Sequence, residues 1–405
     1  MKKILTLLAV LIIIVLPACQ VPAAVVETEP IVSEAPTADA PESTFPVEEA
    51  TQVPAEVEQV SIDYAKNFTL EYKDGYKLLT VTLPWLGATE SLGYALIPNG
   101  TQVDEELGNA VVIQTPIDSF VSLSSTYLPF LEQIGELNSL IAVDTADYIY
   151  NADVRLGVEN GSVTTVGSGP TIDVETVVEL APDVIMTSAS GSADWDTHPV
   201  LEQAGLPVVI NSDYLEQDPL GRAEWGKFIA AFYDKEAEAD QVFDAMAARY
   251  EEAKASVAGQ SEKVTVFVNT AYEGTWYMPG GESYAAILLS DAGADYLWND
   301  LEGTGAMPID FEVVVERAKD ADFWLNVGFA SDLASLAAMD PRYVDFKAYQ
   351  EGKVFNNNAR ITEMGGTDYF ESGTANPDAV LRDLIAIFYP DLAGGHELYY
   401  YRQLQ

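Results

Sequence analysis

The chain has 405 residues, of which 48% are hydrophobic, and it carries 64 acidic side chains against 20 lysines and arginines. Its formal net charge of −44 argues against nucleic acid as a partner, because phosphate binding requires a basic surface. The single cysteine excludes a disulfide framework, an iron–sulfur cluster and cysteine-ligated zinc. The only histidines, His198 and His396, are too few and too scattered to predict a bare metal site.

Residues 1–18 have the pattern of a signal peptide: two lysines, an apolar run over residues 4–16 and a small residue at the end. The run is shorter than the roughly 20 apolar residues that a membrane span needs. Its end resembles the lipobox of lipoprotein signal peptides, Leu16-Pro17-Ala18-Cys19. The resemblance implies lipidation of Cys19 and a cell-membrane protein anchored on the extracytoplasmic face. An ordinary secretory signal or a short transmembrane anchor is the alternative.

Residues 19–60 form the next segment, which is rich in Pro, Glu, Ala, Val and Thr. Nine acids and no bases lie between positions 20 and 60, and Phe45 is the one aromatic residue there. Such a composition cannot bury a core. The segment is therefore predicted to be a flexible acidic tether with a reach of about 35 Å.

Residues 61–234 are predicted to form an N-terminal lobe with a leading β-hairpin. Two strand-like runs flank Asp74-Gly75, a dipeptide typical of tight hairpin turns. Further on, short apolar runs alternate with amphipathic helical stretches, which favours a parallel sheet covered on both faces. The runs predicted as strands of this sheet are 111–113, 120–123, 140–143, 184–186 and 208–210.

Residues 235–259 are predicted to form one long helix, because 235–257 contain neither Gly nor Pro and place apolar residues at helical spacing. Residues 260–405 repeat the alternation of strands and helices and are predicted to form a C-terminal lobe. The sequence thus predicts an α/β fold: two lobes with mainly parallel central sheets joined by one long bridging helix, plus the N-terminal β-hairpin.

Two segments are counterparts in the two lobes. In residues 173–185 a predicted helix begins at an acidic residue and is followed by the motif Leu-x-Pro-Asp and a predicted strand. In residues 279–289 a predicted helix follows the motif Gly-x-Glu-Ser. In this order, with a long helix between them, they resemble the helix-linked (type III) substrate-binding lipoproteins of ABC importers for ferric siderophores, cobalamin and heme. The resemblance covers roughly residues 111–392.

The resemblance implies a monomeric binding protein without enzymatic activity or cofactor, which delivers a metal chelate to an ABC permease and its ATPase. It also implies that Glu175 and Glu282 dock on permease arginines. The alternative for both acids is a simple preference for helix N-termini. The membrane link is through the lipid anchor.

The ligand is predicted to lie between the lobes, at the carboxyl ends of the strands. Aromatic side chains in the loops there suit a large, partly apolar chelate, although each could instead pack a core. Arg155 and Arg360 could neutralise a carboxylate or catecholate of the ligand, or form surface ion pairs. The aromatic candidates are Tyr148, Tyr150, Trp195, Tyr272, Trp276, Tyr277 and Tyr369, followed by Tyr214, Phe329 and Phe370.

Two other classes compete with this prediction. One is a lipid-anchored extracellular hydrolase, but the sequence has no Gly-x-Ser-x-Gly elbow, no His-Glu-x-x-His and no phosphate loop. The other is a surface adhesin, which would explain the tether and the acidity. An adhesin would not explain the two-lobed pattern, so the solute-binding function is the primary prediction.

Overall fold

A computed structural model describes residues 59–103, 106–192 and 194–405. The predicted signal peptide and nearly all of the predicted tether lie outside these ranges. The described residues belong to one compact unit. Among the described helices, none is both long and apolar enough to cross a membrane.

The predicted hairpin is the start of a four-stranded N-terminal sheet. Its strands, in spatial order, are β1 Phe68–Lys73, β2 Tyr76–Val81, β3 Leu92–Pro98 and β4 Val111–Thr115. Gly75 has a φ of 84°, which permits the tight turn between β1 and β2. The run 111–113 was predicted for the sheet of the N-terminal lobe. That prediction is wrong, because this run pairs in parallel with β3 and forms an edge of the N-terminal sheet.

Two buried glutamates fasten the segment that precedes β1. The Glu224 carboxylate accepts backbone N–H groups of Asp63, Tyr64 and Ala65 at 2.8–3.2 Å. The Glu216 carboxylate likewise accepts the N–H groups of the next two residues. Five successive backbone donors are therefore satisfied by side chains in the absence of a partner strand.

The sheet of the N-terminal lobe is wholly parallel, with the strand order β7-β6-β5-β8-β9. Its central strand β5 and the neighbouring β8 are buried along their whole lengths, as expected for a sheet with both faces covered. The strands are β5 Phe120–Ser122, β6 Leu140–Val143, β7 Thr164–Thr165, β8 Val184–Thr187 and β9 Val208–Ile210. The helices are α1 Leu128–Gln133, α2 Ala152–Asn160, α3 Val174–Leu180, α4 His198–Gln203, α5 Pro219–Ala223 and α6 Trp225–Ala230.

The bridging helix α7 spans Glu236–Val257, so it is confirmed within the predicted segment. Its first turn is tied to the N-terminal sheet, since the buried pair Lys77 and Glu236 has an N–O distance of 2.5 Å. Its second half is tied to the C-terminal lobe, since the Tyr250 hydroxyl lies 2.8 Å from the Asp291 carboxylate. One continuous helix therefore connects the two lobes.

The C-terminal lobe has a five-stranded sheet with the order β13-β10-β15-β16-β17, parallel except for the edge strand β17. A separate antiparallel sheet has the order β11-β12-β14. The strands are β10 Thr265–Val268, β11 Ala271–Tyr272, β12 Thr275–Pro279, β13 Asp295–Tyr296, β14 Ala306–Asp310, β15 Phe323–Leu325, β16 Val354–Asn356 and β17 Arg402–Gln403. The predicted fold class is confirmed.

The helices of the C-terminal lobe share one large core with its sheet and with α7. They are α8 Tyr284–Asp291, α9 Phe311–Ala318, α10 Leu333–Met339, α11 Lys347–Gln350, α12 Ser372–Ala375 and α13 Pro377–Phe388. Short 3₁₀ helices occupy Ser125–Tyr127, Leu137–Ser139, Gly169–Thr171, Asp213–Leu215, Ala231–Tyr233, Pro341–Asp345 and Pro390–Leu392.

Candidate functional site

An open groove of about 650 Å³ lies at the carboxyl ends of the strands of the N-terminal lobe. The loops that follow β5, β7, β8 and β9 form it, because the carboxyl ends of parallel strands meet at one edge of a sheet. We call it the N-lobe groove. Its described lining residues are Leu123, Ser168, Gly169, Pro170, Thr171, Thr187, Ser188, Ala189, Ser190, Trp195, Asp196, Thr197 and Tyr214.

The loop after β8 is held by its own hydrogen bonds. The Asp196 carboxylate accepts the backbone N–H groups of Ser190 and Gly191 at 2.7 and 2.8 Å. The next residue, Thr197, accepts the N–H of Gly169 at 2.7 Å and so joins this loop to the one after β7. Trp195 lines the groove and is 73% exposed. The predicted candidate Trp195 is therefore available for contact with a ligand.

A second groove, of about 590 Å³, lies where the two lobes meet. We call it the junction groove. It brings together three of the predicted ligand contacts, Tyr150, Arg155 and Arg360. Its other lining residues are Pro129, Glu132, Asn151, Ala152, Asp153, Ile361, Thr362, Asp368, Glu371, Ser372 and Tyr399.

The two arginines of the junction groove differ in their partners. Arg360 Nε lies 2.5 Å from Asp368 Oδ2, and the guanidinium stacks on the rings of Tyr150 and Tyr399 at 4.9 and 4.2 Å. Arg155 lies on α2 and not at a strand end, and among the described residues its buried Nε has no hydrogen-bond partner. The charge of Arg360 is therefore already compensated, whereas Arg155 retains an unused donor.

Glu371 joins the two lobes directly in this groove. Its carboxylate accepts the backbone N–H groups of Tyr150 at 2.7 Å and Asn151 at 2.8 Å. Nearby, a Cβ on Gly366 would lie 2.4 Å from the Tyr148 carbonyl oxygen, so the close approach of the two loops requires glycine there. Burial raises the pKa of Glu371 to about 7, despite the two N–H donors, which lower it. The contact between the lobes therefore contains a carboxyl group that titrates near neutral pH.

The remaining aromatic candidates have different environments. Tyr148, Tyr272 and Tyr277 are exposed. Tyr369 is half-buried in the lobe junction, and burial raises the pKa of its phenol. Trp276 is fully buried and donates its indole N–H to the Val268 carbonyl. The prediction of Trp276 as a ligand contact is wrong, because this side chain packs in the core of the C-terminal lobe.

The two proposed docking acids are both exposed. Glu175 lies in the first turn of α3, whose N-cap is Asp173. Glu282 precedes Ser283, the N-cap of α8, and its carboxylate accepts the N–H of Gly303 at 3.2 Å. Glu282 is therefore not in the first helical turn, and the argument from the helix dipole applies to Glu175 alone.

The roles of Glu371 and Asp196 are not predicted from the sequence. The chain has 64 acidic residues. The sequence around an acidic residue that accepts backbone N–H groups does not differ from the sequence around one that is exposed to solvent. Phe329 is one of several aromatic candidates that the sequence places in loops. It follows β15 and is 96% exposed, which makes it the most exposed of the large hydrophobic residues described. Among the described residues, no group of three or more His, Cys, Asp or Glu could hold a metal ion.

Comparisons with known proteins identify the family. Residues 120–360 match the family model of the periplasmic binding proteins. The chain belongs to the periplasmic binding protein family. An uncharacterized lipoprotein of Methanocaldococcus jannaschii is 30% identical over 308 residues, which are 73% of this chain and 71% of that protein. A second uncharacterized lipoprotein of the same organism is 24% identical over 84% of this chain and 86% of its own length.

Solved structures of periplasmic binding proteins share the fold. A periplasmic heme binding protein from Pseudomonas aeruginosa matches with a TM-score of 0.52 and 18% identity, over 71% of this chain and 98% of that chain. A possible iron-binding (periplasmic solute-binding) protein from Staphylococcus epidermidis matches with a TM-score of 0.53 and 18% identity, over 68% of this chain and all of that chain. The N-terminal sheet precedes the residues that the family model matches.

Proposed function

We propose that this periplasmic binding protein is the extracytoplasmic solute-binding component of an ABC importer. It would capture a ferric siderophore or a related metal chelate, such as cobalamin or heme, between its lobes and deliver it to the permease. The N-lobe groove carries the proposal. It is open, its volume of about 650 Å³ lies within the range of small-molecule sites, and it lies at the carboxyl ends of parallel strands, where α/β proteins bind ligands.

The proposed organisation assigns each segment a role. Residues 1–18 would be removed as a signal peptide, and Cys19 would carry the lipid that anchors the protein to the extracytoplasmic face of the membrane. Residues 19–60 would be the tether between the anchor and the lobes 61–234 and 260–405, which the 235–259 helix connects. Two relatives that are named lipoproteins support the anchor. A short tether would keep the receptor at high effective concentration near its permease.

Delivery would use the exposed acids Glu175 and Glu282, one on each lobe. A carboxylate can form a bidentate contact with an arginine of the permease, and such rim contacts mainly orient the partners. The test is the double variant Glu175→Arg with Glu282→Arg in a cellular uptake assay. We expect uptake to be abolished while ligand affinity is retained.

The matched control is Glu179→Arg with Glu316→Arg, which places the same charges on exposed positions of α3 and α9. Normal uptake by the docking variant, or an equal loss in the control variant, would contradict the docking role.

Binding without chemistry is tested separately by tryptophan fluorescence. Titration of the purified protein with ferric siderophores, cobalamin and heme is expected to quench fluorescence, and the ligand should be recovered unaltered. Turnover of a glycan or an ester by the purified protein would contradict the proposal.

A further inference from the structure

The charges that line the N-lobe groove restrict the chelate that it can accept. Its described lining residues supply hydroxyl groups, two aromatic rings and one charged side chain, Asp196. That carboxylate is already hydrogen-bonded to the loop that it organises. None of the described lining residues is a lysine, an arginine or a histidine. The groove therefore offers hydrogen-bonding partners for a neutral ligand but no cation for an anionic one.

The junction groove does not supply the missing positive charge. Four acidic side chains line it, from Glu132, Asp153, Asp368 and Glu371, together with two arginines. Arg360 forms an ion pair with Asp368. Of the described residues that line this groove, Arg155 is therefore the one cation left to bind an anionic ligand, and three other acidic side chains line the groove with it. The formal net charge of the whole chain, −44, adds a long-range field that repels anions.

We infer that the chelate is neutral or cationic, such as a ferric tris-hydroxamate, and is not an anionic catecholate chelate. This inference rests on the proposed function. Three hydroxamates cancel the charge of ferric iron, whereas three catecholates leave the complex trianionic. An anion that enters a protein site must be paired to offset its lost hydration. Repulsion between a trianionic chelate and one unpaired carboxylate about 8 Å away is expected to weaken binding roughly tenfold in water, relative to a neutral chelate.

The test compares a ferric tris-hydroxamate with a ferric tris-catecholate by fluorescence titration of the full chain at low and high salt. We expect the hydroxamate chelate to bind at least tenfold more tightly, with little dependence on salt. Catecholate binding should strengthen as salt screens the repulsion. Equal or tighter binding of the catecholate would overturn the charge inference and leave the proposed function standing. Failure of both chelates, and of cobalamin and heme, would overturn the proposed function and the inference with it.

A cation placed in the groove provides an internal control. Ser188 lines the groove, is exposed and follows β8. Ser188→Lys is expected to strengthen binding of the catecholate chelate severalfold. Ser188→Met, which has a comparably long uncharged side chain, should not. An equal effect of both variants would show that side-chain size and not charge controls binding there, and would overturn the inference.

Trp85 lies in the connection between β2 and β3 of the N-terminal sheet. Its indole stacks on the ring of His198, with centroids 5.7 Å apart and planes 24° apart. It also packs against Gly191, where a Cβ would lie 2.6 Å from Trp85 Cδ1. Only a glycine at 191 permits this approach. Trp85 therefore contacts both ends of the loop that carries Trp195 and Asp196.

We infer that Trp85 is a positioning residue for the N-lobe groove, and that the N-terminal sheet supports the ligand site from outside the residues common to the family. Two contacts at the ends of a loop limit its conformations, so less ordering is required on binding. Without the indole, the loop would retain the hydrogen bonds of Asp196 but lose its packing support.

The test is Trp85→Ala, with Leu86→Ala as the control because Leu86 is the next residue and is 76% exposed. Hydrogen exchange at the amides of Ser190 and Gly191 should become at least tenfold faster in the first variant only, while exchange in β8 is unchanged. Affinity for the ferric tris-hydroxamate should fall in parallel, and Trp85→Phe should restore part of both. Unchanged exchange in the loop, or equal acceleration throughout the lobe, would overturn the positioning role.

Discussion

Replacement of Glu371 by glutamine is expected to remove a defined part of the pH dependence of stability. In the wild type the Glu371 carboxyl is buried between the lobes, and burial raises its pKa to about 7 from the ordinary value of 4.5. Asp368 and Glu132 raise this pKa further, and the N–H groups of Tyr150 and Asn151 lower it. Because its pKa is raised, this carboxyl binds a proton more readily in the folded protein than in the unfolded chain. The contribution of this group is therefore fully present below pH 4.5 and is lost as the pH rises through 7.

The magnitude follows from the two pKa values. Between pH 5 and pH 8 this carboxyl should reduce the free energy of unfolding by about 2 to 3 kcal/mol. The assay is urea unfolding of the wild type and of Glu371→Gln at half-unit steps across that range. Other buried carboxyls, such as Glu216 and Glu236, also have pKa values raised by burial. The informative quantity is therefore the difference between the two curves.

The control is Glu363→Gln, an exposed acid in the same loop. Its curve should run parallel to that of the wild type, while the curve of Glu371→Gln should be flatter. If the curves of the wild type and Glu371→Gln are parallel, the account of Glu371 as a titrating contact between the lobes is refuted.

Two further predictions concern the N-terminal part of the chain. Cys19→Ala should abolish incorporation of radiolabelled fatty acid, and label retained by the variant would contradict the lipid anchor. Glu224→Ala removes a fully buried carboxylate that accepts the N–H groups of residues 63–65 and pairs with Lys227. It should lower the free energy of unfolding by about 3 to 5 kcal/mol. Glu251→Ala, at an exposed position, serves as the control, and an equal loss of stability in both variants would contradict this role of Glu224.

The sequence predicted those parts of the fold that depend on local pattern. The bridging helix follows from a long stretch without Gly or Pro, and the hairpin turn follows from Asp74-Gly75. The run 111–113 looks like a strand in either sheet, and only tertiary pairing with β3 assigns it to the N-terminal sheet. Register between distant strands does not leave a local signal, so this error could not have been avoided from one sequence.

The candidate site was predicted less completely than the fold. Tyr148, Tyr150 and Trp195 lie in loops, as the order of elements predicts, whereas Tyr272, Trp276 and Tyr277 were predicted for loops but lie in the antiparallel strands β11 and β12. Exposure of single side chains could not be predicted: Trp195 is exposed in its loop, whereas Trp276 is buried within β12. The contact of Glu371 with residues 150 and 151 joins positions about 220 apart in sequence. Nothing in the local pattern marks such a pair.

The central claim is that the protein binds an intact metal chelate between its lobes. Mass spectrometry of the protein isolated from native membranes under gentle conditions tests it most directly. The account predicts one metal chelate bound to each chain, released chemically unaltered when the protein is unfolded. Isolation of a chain that carries no chelate from cells supplied with one, or release of a cleaved product, would contradict the account.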